Sequence, residues 1–315
     1  MPLKRLLTRQ KGNLALLIGN GINRYGGRAG INSWNDLLIS LARKHIDPST
    51  ASIPSGVSLT EFYDSLELAQ ATISASGHLQ QEFCAPMGGW IPDEHHEAIT
   101  RWAIAARSPI LTTNFDGLLS RAAKARLYSI PGKPFTDFYP WNRYFGLGQL
   151  ERPDGGFGIW HINGTMHYRR SIRLGLTHYM GSVERARTWL HRGNEDSLFR
   201  GKDVNGWAGF STWLHILFNK PLLILGLGLE DNEVFLRWLL IERARYFKKF
   251  PERRQEGWYA CVGDESQGKS YYLKSVGISL LPVGCYEDIY GSGVWAQGSS
   301  EGGKREDRAS ACALP

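Results

Sequence analysis

The sequence is poor in the features that define a membrane span, a zinc fold or a disulfide scaffold. Its longest nearly unbroken apolar run, residues 222–229, falls well short of the roughly 20 residues that cross a bilayer. Only four cysteines occur in 315 residues, Cys84, Cys261, Cys285 and Cys312. They stand far apart with no C-x-x-C pair, which excludes a zinc knuckle and a disulfide framework. No strict G-x-G-x-x-G fingerprint is present, nor any internal repeat or low-complexity array. The N-terminus is basic (Lys4, Arg5, Arg9, Lys11), but the apolar stretch 14–18 is too short for a signal peptide and runs into glycine with no small-residue cleavage site. The expected location is therefore the cytoplasm.

What is abundant is glycine, 36 of 315 residues, gathered where short apolar runs end. Hydrophobic residues make up 42% and charged residues 21%, the balance of a folded globular chain. Apolar runs at 14–18, 109–113, 221–225, 258–262 and 278–283 read as buried strands, and 158–163 as an alternating strand. Stretches 34–41, 60–75, 90–106, 118–125, 177–191 and 231–247 have helical spacing. Residues 128–158, rich in Pro, Gly and aromatics, read as connecting segments with at most one short strand. Strands alternating with helices predict an α/β, Rossmann-like fold: a mostly parallel sheet with helices on both faces and a smaller helical and loop insertion. One domain is expected over 1–297, with the insertion at about 45–105 and a loose tail over 298–315.

Such a sheet binds ligands beyond the C-terminal ends of its strands, so four polar loops are the candidates. Gly19-Asn20-Gly21-Ile22-Asn23-Arg24 is either a phosphate-approaching glycine loop, its N–H groups turned to an anion, or a tight turn with no ligand. In Thr112-Thr113-Asn114-Phe115-Asp116, Asn114 can donate and accept. Asp116 either accepts from ligand hydroxyls or caps the following helix. In the third loop, strand periodicity would place His161 and Asn163 on one face. The fourth, Gly226-Leu227-Gly228-Leu229-Glu230-Asp231, allows close backbone approach, with Asp231 either capping a helix or bonding a ribose. His167, His178 and His215 read as ordinary, partly exposed histidines, and with no carboxylate or cysteine at ligand spacing beside them no metal is expected.

Taken in order, LLIGNGIN (16–23), LTTNFDGLL (111–119), WHINGT (160–165) continuing into SIRLGLTHYMG (171–181), and LLILGLGLEDNEV (222–234) resemble the sirtuin-like domain of bacterial proteins, especially the NAD-cleaving effectors of antiphage defence. The resemblance covers about residues 12–290. It implies NAD+ as substrate, with Gly19, Asn20, Gly21 and Asn23 lining the dinucleotide pocket and Thr113 beside them. Asn114 and Asp116 would then sit at the nicotinamide ribose, and Gly226, Leu229 and Asp231 near the far end of the dinucleotide. Two departures stand out. The four-cysteine zinc module of deacetylating sirtuins cannot be built here, which favours NAD+ hydrolysis over deacetylation. Asn163 also occupies the place usually held by histidine, leaving His161, two residues earlier, as the candidate base.

The implied chemistry is release of nicotinamide and ADP-ribose. Asn114 would position water or ribose hydroxyls, His161 would act as general base and Asp116 would fix the nicotinamide end. The alternative is an NAD- or nucleotide-binding sensor that does not cleave. The net charge of +7 is mildly basic, and residues 165–202 and 237–254 each carry a surplus of five positive charges. A nucleic-acid contact is thus conceivable, but a solvated helix face is preferred. Trp238 and Phe235 on the helix 231–247 serve either the core or an interface. With no sensor region evident after residue 290, control by homo-oligomerisation or by a separate partner is expected, and the resemblance implies an ATPase or nuclease-like defence partner.

Overall fold

A computed structural model describes residues 2–26, 33–70, 78–131, 139–192, 196–201, 203–230 and 233–296. Asp231 and the expected tail lie outside the described residues. Eight strands form one sheet: β1 (Ala15–Ile18), β2 (Ile110–Thr112), β3 (Arg126–Ser129), β4 (Arg143–Gly146), β5 (Ile159–His161), β6 (Leu222–Leu225), β7 (Gly257–Val262) and β8 (Ser279–Val283). Their spatial order is β3-β4-β5-β2-β1-β6-β7-β8. From β5 to β8 every pairing is parallel, and β3 and β4 extend the sheet as an antiparallel hairpin. The fold is α/β and Rossmann-like.

The central strands are continuous apolar runs because both faces of a parallel sheet are covered. Along β1, Ala15 and Leu17 join the core on one face while Leu16 and Ile18 join the other, and β6 divides the same way, with Leu222 and Ile224 opposite Leu223 and Leu225. All eight side chains are 0% exposed; full burial of a leucine or isoleucine is worth about 1.5–3 kcal/mol each. This double-sided burial makes β1 and β6 the rigid centre from which the polar loops project.

The connection from β1 to β2 carries a helical module. Helices Trp34–His45, Leu59–Gln70 and His78–Cys84 pack through Leu38, Leu41, Tyr63, Leu66 and Phe83 into a third cluster. Ser33 starts the first helix by accepting from the Asp36 N–H. Phe115, from the loop after β2, inserts its ring into the same cluster. It stacks on Trp34 with ring centroids 4.7 Å apart and meets Phe83 edge-on at 5.8 Å. The next helix, Glu94–Ala105, buries Ile99, Trp102 and Ala103 against the sheet.

Three expectations change. Residues 128–158 contain strand β4 and adjoin β3, a hairpin rather than a single short strand; its outer strand is largely exposed and carries no burial pattern to read. Phe235 is 1% exposed and belongs to the core, with Trp238, half-buried, stacked on it from outside, so Phe235 does not supply an interface. His215 is 1% exposed, a core histidine and not a surface one. No helix among the described residues is long and apolar enough to cross a membrane.

Candidate functional site

The chain runs outward from β1 through β2 to β5, then returns to lay β6 on the other side of β1. Strand order therefore reverses between β1 and β6, the place where open α/β sheets bind ligands. A cavity of about 420 Å³ opens there. Asn20, Gly21, Thr113, Gly226 and Leu229 line it, five of the residues expected from sequence. Glu230 and Glu233, which lie in the segment 222–234 but were given no role there, also line it, as do Lys269 and Tyr290, which were not anticipated.

The glycines at this reversal are required by contact between the two loops themselves. A Cβ on Gly19 would lie 2.5 Å from the Gly226 carbonyl oxygen, and one on Gly21 would lie 2.6 Å from the Gly226 Cα. Gly226 is left-handed (φ +64°) and faces the Tyr290 hydroxyl. The Gly19 N–H donates to the Leu225 carbonyl (3.0 Å) and the Gly21 N–H to the Gly226 carbonyl (2.7 Å). These two amides are thus committed across the seam and are not turned toward an anion, which corrects that part of the sequence reading. Leu229, at φ +53° and 1% exposed, holds a backbone conformation that non-glycine residues seldom adopt; Arg237 Nη1 donates to its carbonyl.

The loop after β2 is pinned from several sides. The Thr113 N–H donates to the Ile18 carbonyl, and Asn114 Nδ2 donates to the Gly19 carbonyl at 3.3 Å. Asn114 Oδ1 is buried with no protein partner, an acceptor held ready for a hydroxyl or water. Of the two roles considered for Asp116, the structure shows the one at the helix start: Oδ1 accepts from the Leu118 N–H (2.9 Å), while Oδ2 accepts from Asn23 Nδ2 (2.8 Å). Burial pushes its carboxyl upward against these two bonds. Asn23 in turn donates to Asn20 Oδ1.

At the end of β5, His161 Nδ1 donates to the Asn114 carbonyl oxygen at 2.7 Å. A carbonyl only accepts, so the proton sits on Nδ1 and Nε2 is a bare lone pair. That Nε2 is buried and without a protein partner, and burial lowers the ring to about 4, keeping it neutral. His161 lines a second cavity of about 260 Å³, with Arg143, Phe145, Thr165 and His167. The strand ends at His161, so the expected strand-face pairing with Asn163 gives way to a turn, closed by the Gly164 N–H on the His161 carbonyl. Gly164 is at φ +99°, and a Cβ there would lie 2.2 Å from the Ser171 carbonyl oxygen. Asn163 is 1% exposed, its Nδ2 lacks a protein partner, and its carbonyl accepts the Arg173 N–H. Arg173 Nε is likewise buried and unpartnered, its guanidinium over the Tyr139 ring at 4.9 Å.

Buried polar atoms are normally satisfied. Here Asn114 Oδ1, His161 Nε2, Asn163 Nδ2 and Arg173 Nε, four such atoms on hydrogen-bonded neighbouring loops, are not. Two of the four are acceptors and two are donors. Arg173 was missed in the sequence because it sits in a basic run that reads as surface. Glu233, raised to about 7 by burial, lies within the segment 222–234 singled out from the sequence, but no role was read for it there. Asp93, His95 and His96 place potential ligand atoms within 4.8 Å of one another. His95 Nε2 and both His96 nitrogens are, however, engaged in hydrogen bonds.

No curated protein matches the chain. The family model described as SIR2-like domain matches residues 108–281, more than half the chain, running from the start of β2 through most of β8. With the strand reversal, the paired glycine loops and the unsatisfied polar cluster inside or beside that span, the chain belongs to the SIR2-like domain family.

Proposed function

We propose that the chain is an NAD+ hydrolase that releases nicotinamide and ADP-ribose. SIR2-like domains take NAD+ as substrate, and the observation that supports hydrolysis is the set of unsatisfied atoms on Asn114, His161 and Asn163. Cleavage breaks the bond between the ribose anomeric carbon and the nicotinamide nitrogen. The electron pair leaves with neutral nicotinamide, so little acid catalysis is needed. Asn114 Oδ1 orients a ribose hydroxyl or the attacking water, and His161 Nε2 takes the proton that water loses as it bonds to the anomeric carbon. A histidine of low basicity suffices, because attack on an oxocarbenium-like centre makes that proton strongly acidic. Asp116, fixed by Leu118 and Asn23, shapes the nicotinamide end. Asn20, Gly21, Thr113, Gly226, Leu229 and Asp231 accommodate the rest of the dinucleotide.

The test is chromatographic measurement of NAD+ loss and nicotinamide release by purified protein at several concentrations. Nicotinamide appearing with ADP-ribose supports the hydrolase, and its loss in Asn114→Ala ties it to this site. Bound but intact NAD+ would favour the non-cleaving sensor, a reading supported by Asn163 standing at the usual histidine position. A defence effector held silent until triggered is the biological role we infer from the resemblance, with control by self-assembly or by an ATPase or nuclease-like partner. A nucleic-acid role is weakened by Arg243, which lies in the second basic stretch but is 1% exposed and bonds the carbonyls of Leu217, Lys220, Gln255 and Glu256.

A further inference from the structure

The helix Glu94–Ala105 lies outside the span matched by the family model, yet one of its side chains reaches the site. At its start, the Asp93 N–H donates to His96 Nδ1 at 3.1 Å. A backbone N–H only donates, so Nδ1 carries the lone pair and the neutral ring's proton is on Nε2. His96 Nε2 lies 3.1 Å from Asn23 Oδ1 and therefore donates to it. With its oxygen committed, Asn23 must turn its amide nitrogen the other way, toward Asp116 Oδ2 at 2.8 Å and Asn20 Oδ1 at 2.9 Å. His96, Asn23 and Asp116 are 1%, 2% and 5% exposed, so water does not substitute for any of these partners. An amide of the opposite orientation would aim its oxygen at the Asp116 carboxylate, lone pair against lone pair.

We infer that His96 is a positioning residue: through one tautomer it sets the orientation of the Asn23 amide, and through that amide it holds the Asp116 carboxylate and the side chain of Asn20, which lines the cavity between β1 and β6. Asp93, His95 and His96 resemble a metal-binding trio by proximity alone; the hydrogen bonds assign His96 to this relay instead. The inference concerns the chain's own residues, and only its consequence for ligand binding rests on the NAD+ reading.

Three measurements test it. In the unaltered protein, ¹⁵N chemical shifts should identify His96 as the neutral Nε2–H tautomer; an Nδ1–H tautomer would overturn the relay. Substitution His96→Phe keeps the ring volume and removes both nitrogens, whereas His96→Gln retains a donor near the Nε2 position. With ¹³C-labelled aspartate, the Asp116 titration midpoint should rise by about one pH unit in His96→Phe, since a hydrogen bond to the charged form is lost, and return toward the parent value in His96→Gln. An unchanged midpoint in His96→Phe overturns the proposal whatever the activity. NAD+ affinity by calorimetry should weaken about tenfold in His96→Phe and be restored within about threefold in His96→Gln, a rescue that general destabilisation would not produce. If the parent binds no NAD+, the functional reading fails while the tautomer and the titration still decide the relay.

Discussion

His161 should make this protein lose stability on mild acidification in an amount that can be calculated. Its folded value of about 4 lies below the ordinary 6.5, so the folded state favours the neutral ring. The associated stability is fully present above pH 6.5, falls as the pH drops through the window from 6.5 to about 4, and is gone below it. Each pH unit in that window is worth about 1.4 kcal/mol, giving about 3 kcal/mol in all and about 2 kcal/mol between pH 6.5 and 5. His178, also lowered to about 4, contributes a similar loss over the same window. Urea unfolding at pH 7 and pH 5 measures the total. The variant His161→Gln isolates the first share, because carboxylates and His178 cancel in the comparison. The parent should lose about 2 kcal/mol more than His161→Gln between the two pH values. Equal losses in parent and variant would refute the assignment of His161 as a desolvated neutral ring. The same value predicts that any NAD+ hydrolysis is insensitive to His161 protonation between pH 7 and 5, where a solvent-exposed histidine base would already have lost most of its competent form.

Asn114→Ala should lower nicotinamide release at least a hundredfold, with a melting temperature within a few degrees of the parent, as read by chromatography and differential scanning fluorimetry together. Gly21→Ala places a methyl 2.6 Å from the Gly226 Cα; because the obstacle is backbone, an overpacking cost of about 1–3 kcal/mol is expected in urea unfolding. Gly164→Ala adds a left-handed backbone to a similar clash and should be at least as destabilising. Glu233, raised to about 7 and lining the same cavity as the glycine loops, should make binding of an anionic dinucleotide weaken as the pH rises through 7 and the carboxyl ionises. In Glu233→Gln, calorimetry between pH 6 and 8 should show a flat affinity.

The central strands were legible because burial on both faces writes them as unbroken apolar runs, each stopped by glycine or an amide, as at Ile18-Gly19 and Leu225-Gly226. The hairpin β3–β4 was not, since Arg126, Leu127 and Ser129 are exposed and leave no period to detect. The helix Trp213–Asn219 was hidden for the opposite reason: five of its seven residues are apolar and it runs into the apolar stretch 221–225, so no amphipathic stripe separates helix from strand. At the site, the loops were visible and their chemistry was not. That Asn114 offers its carbonyl to His161, 47 positions away, follows only from β2 and β5 being neighbours in the sheet. Asn23 was singled out as a pocket residue, but the histidine that orients it lies 73 positions on, in a helix whose sequence reads as amphipathic packing.

Phe115 turns a helical module into part of the chemistry. Its neighbours in sequence are Asn114 and Asp116, yet its ring belongs to the cluster of Trp34, Phe83 and Leu66. A close-packed interior transmits strain, so the two polar groups flank an anchor seated in the insertion. The packing of those helices around one aromatic ring therefore bears directly on where the Asn114–Asp116 loop sits, from outside the cavity.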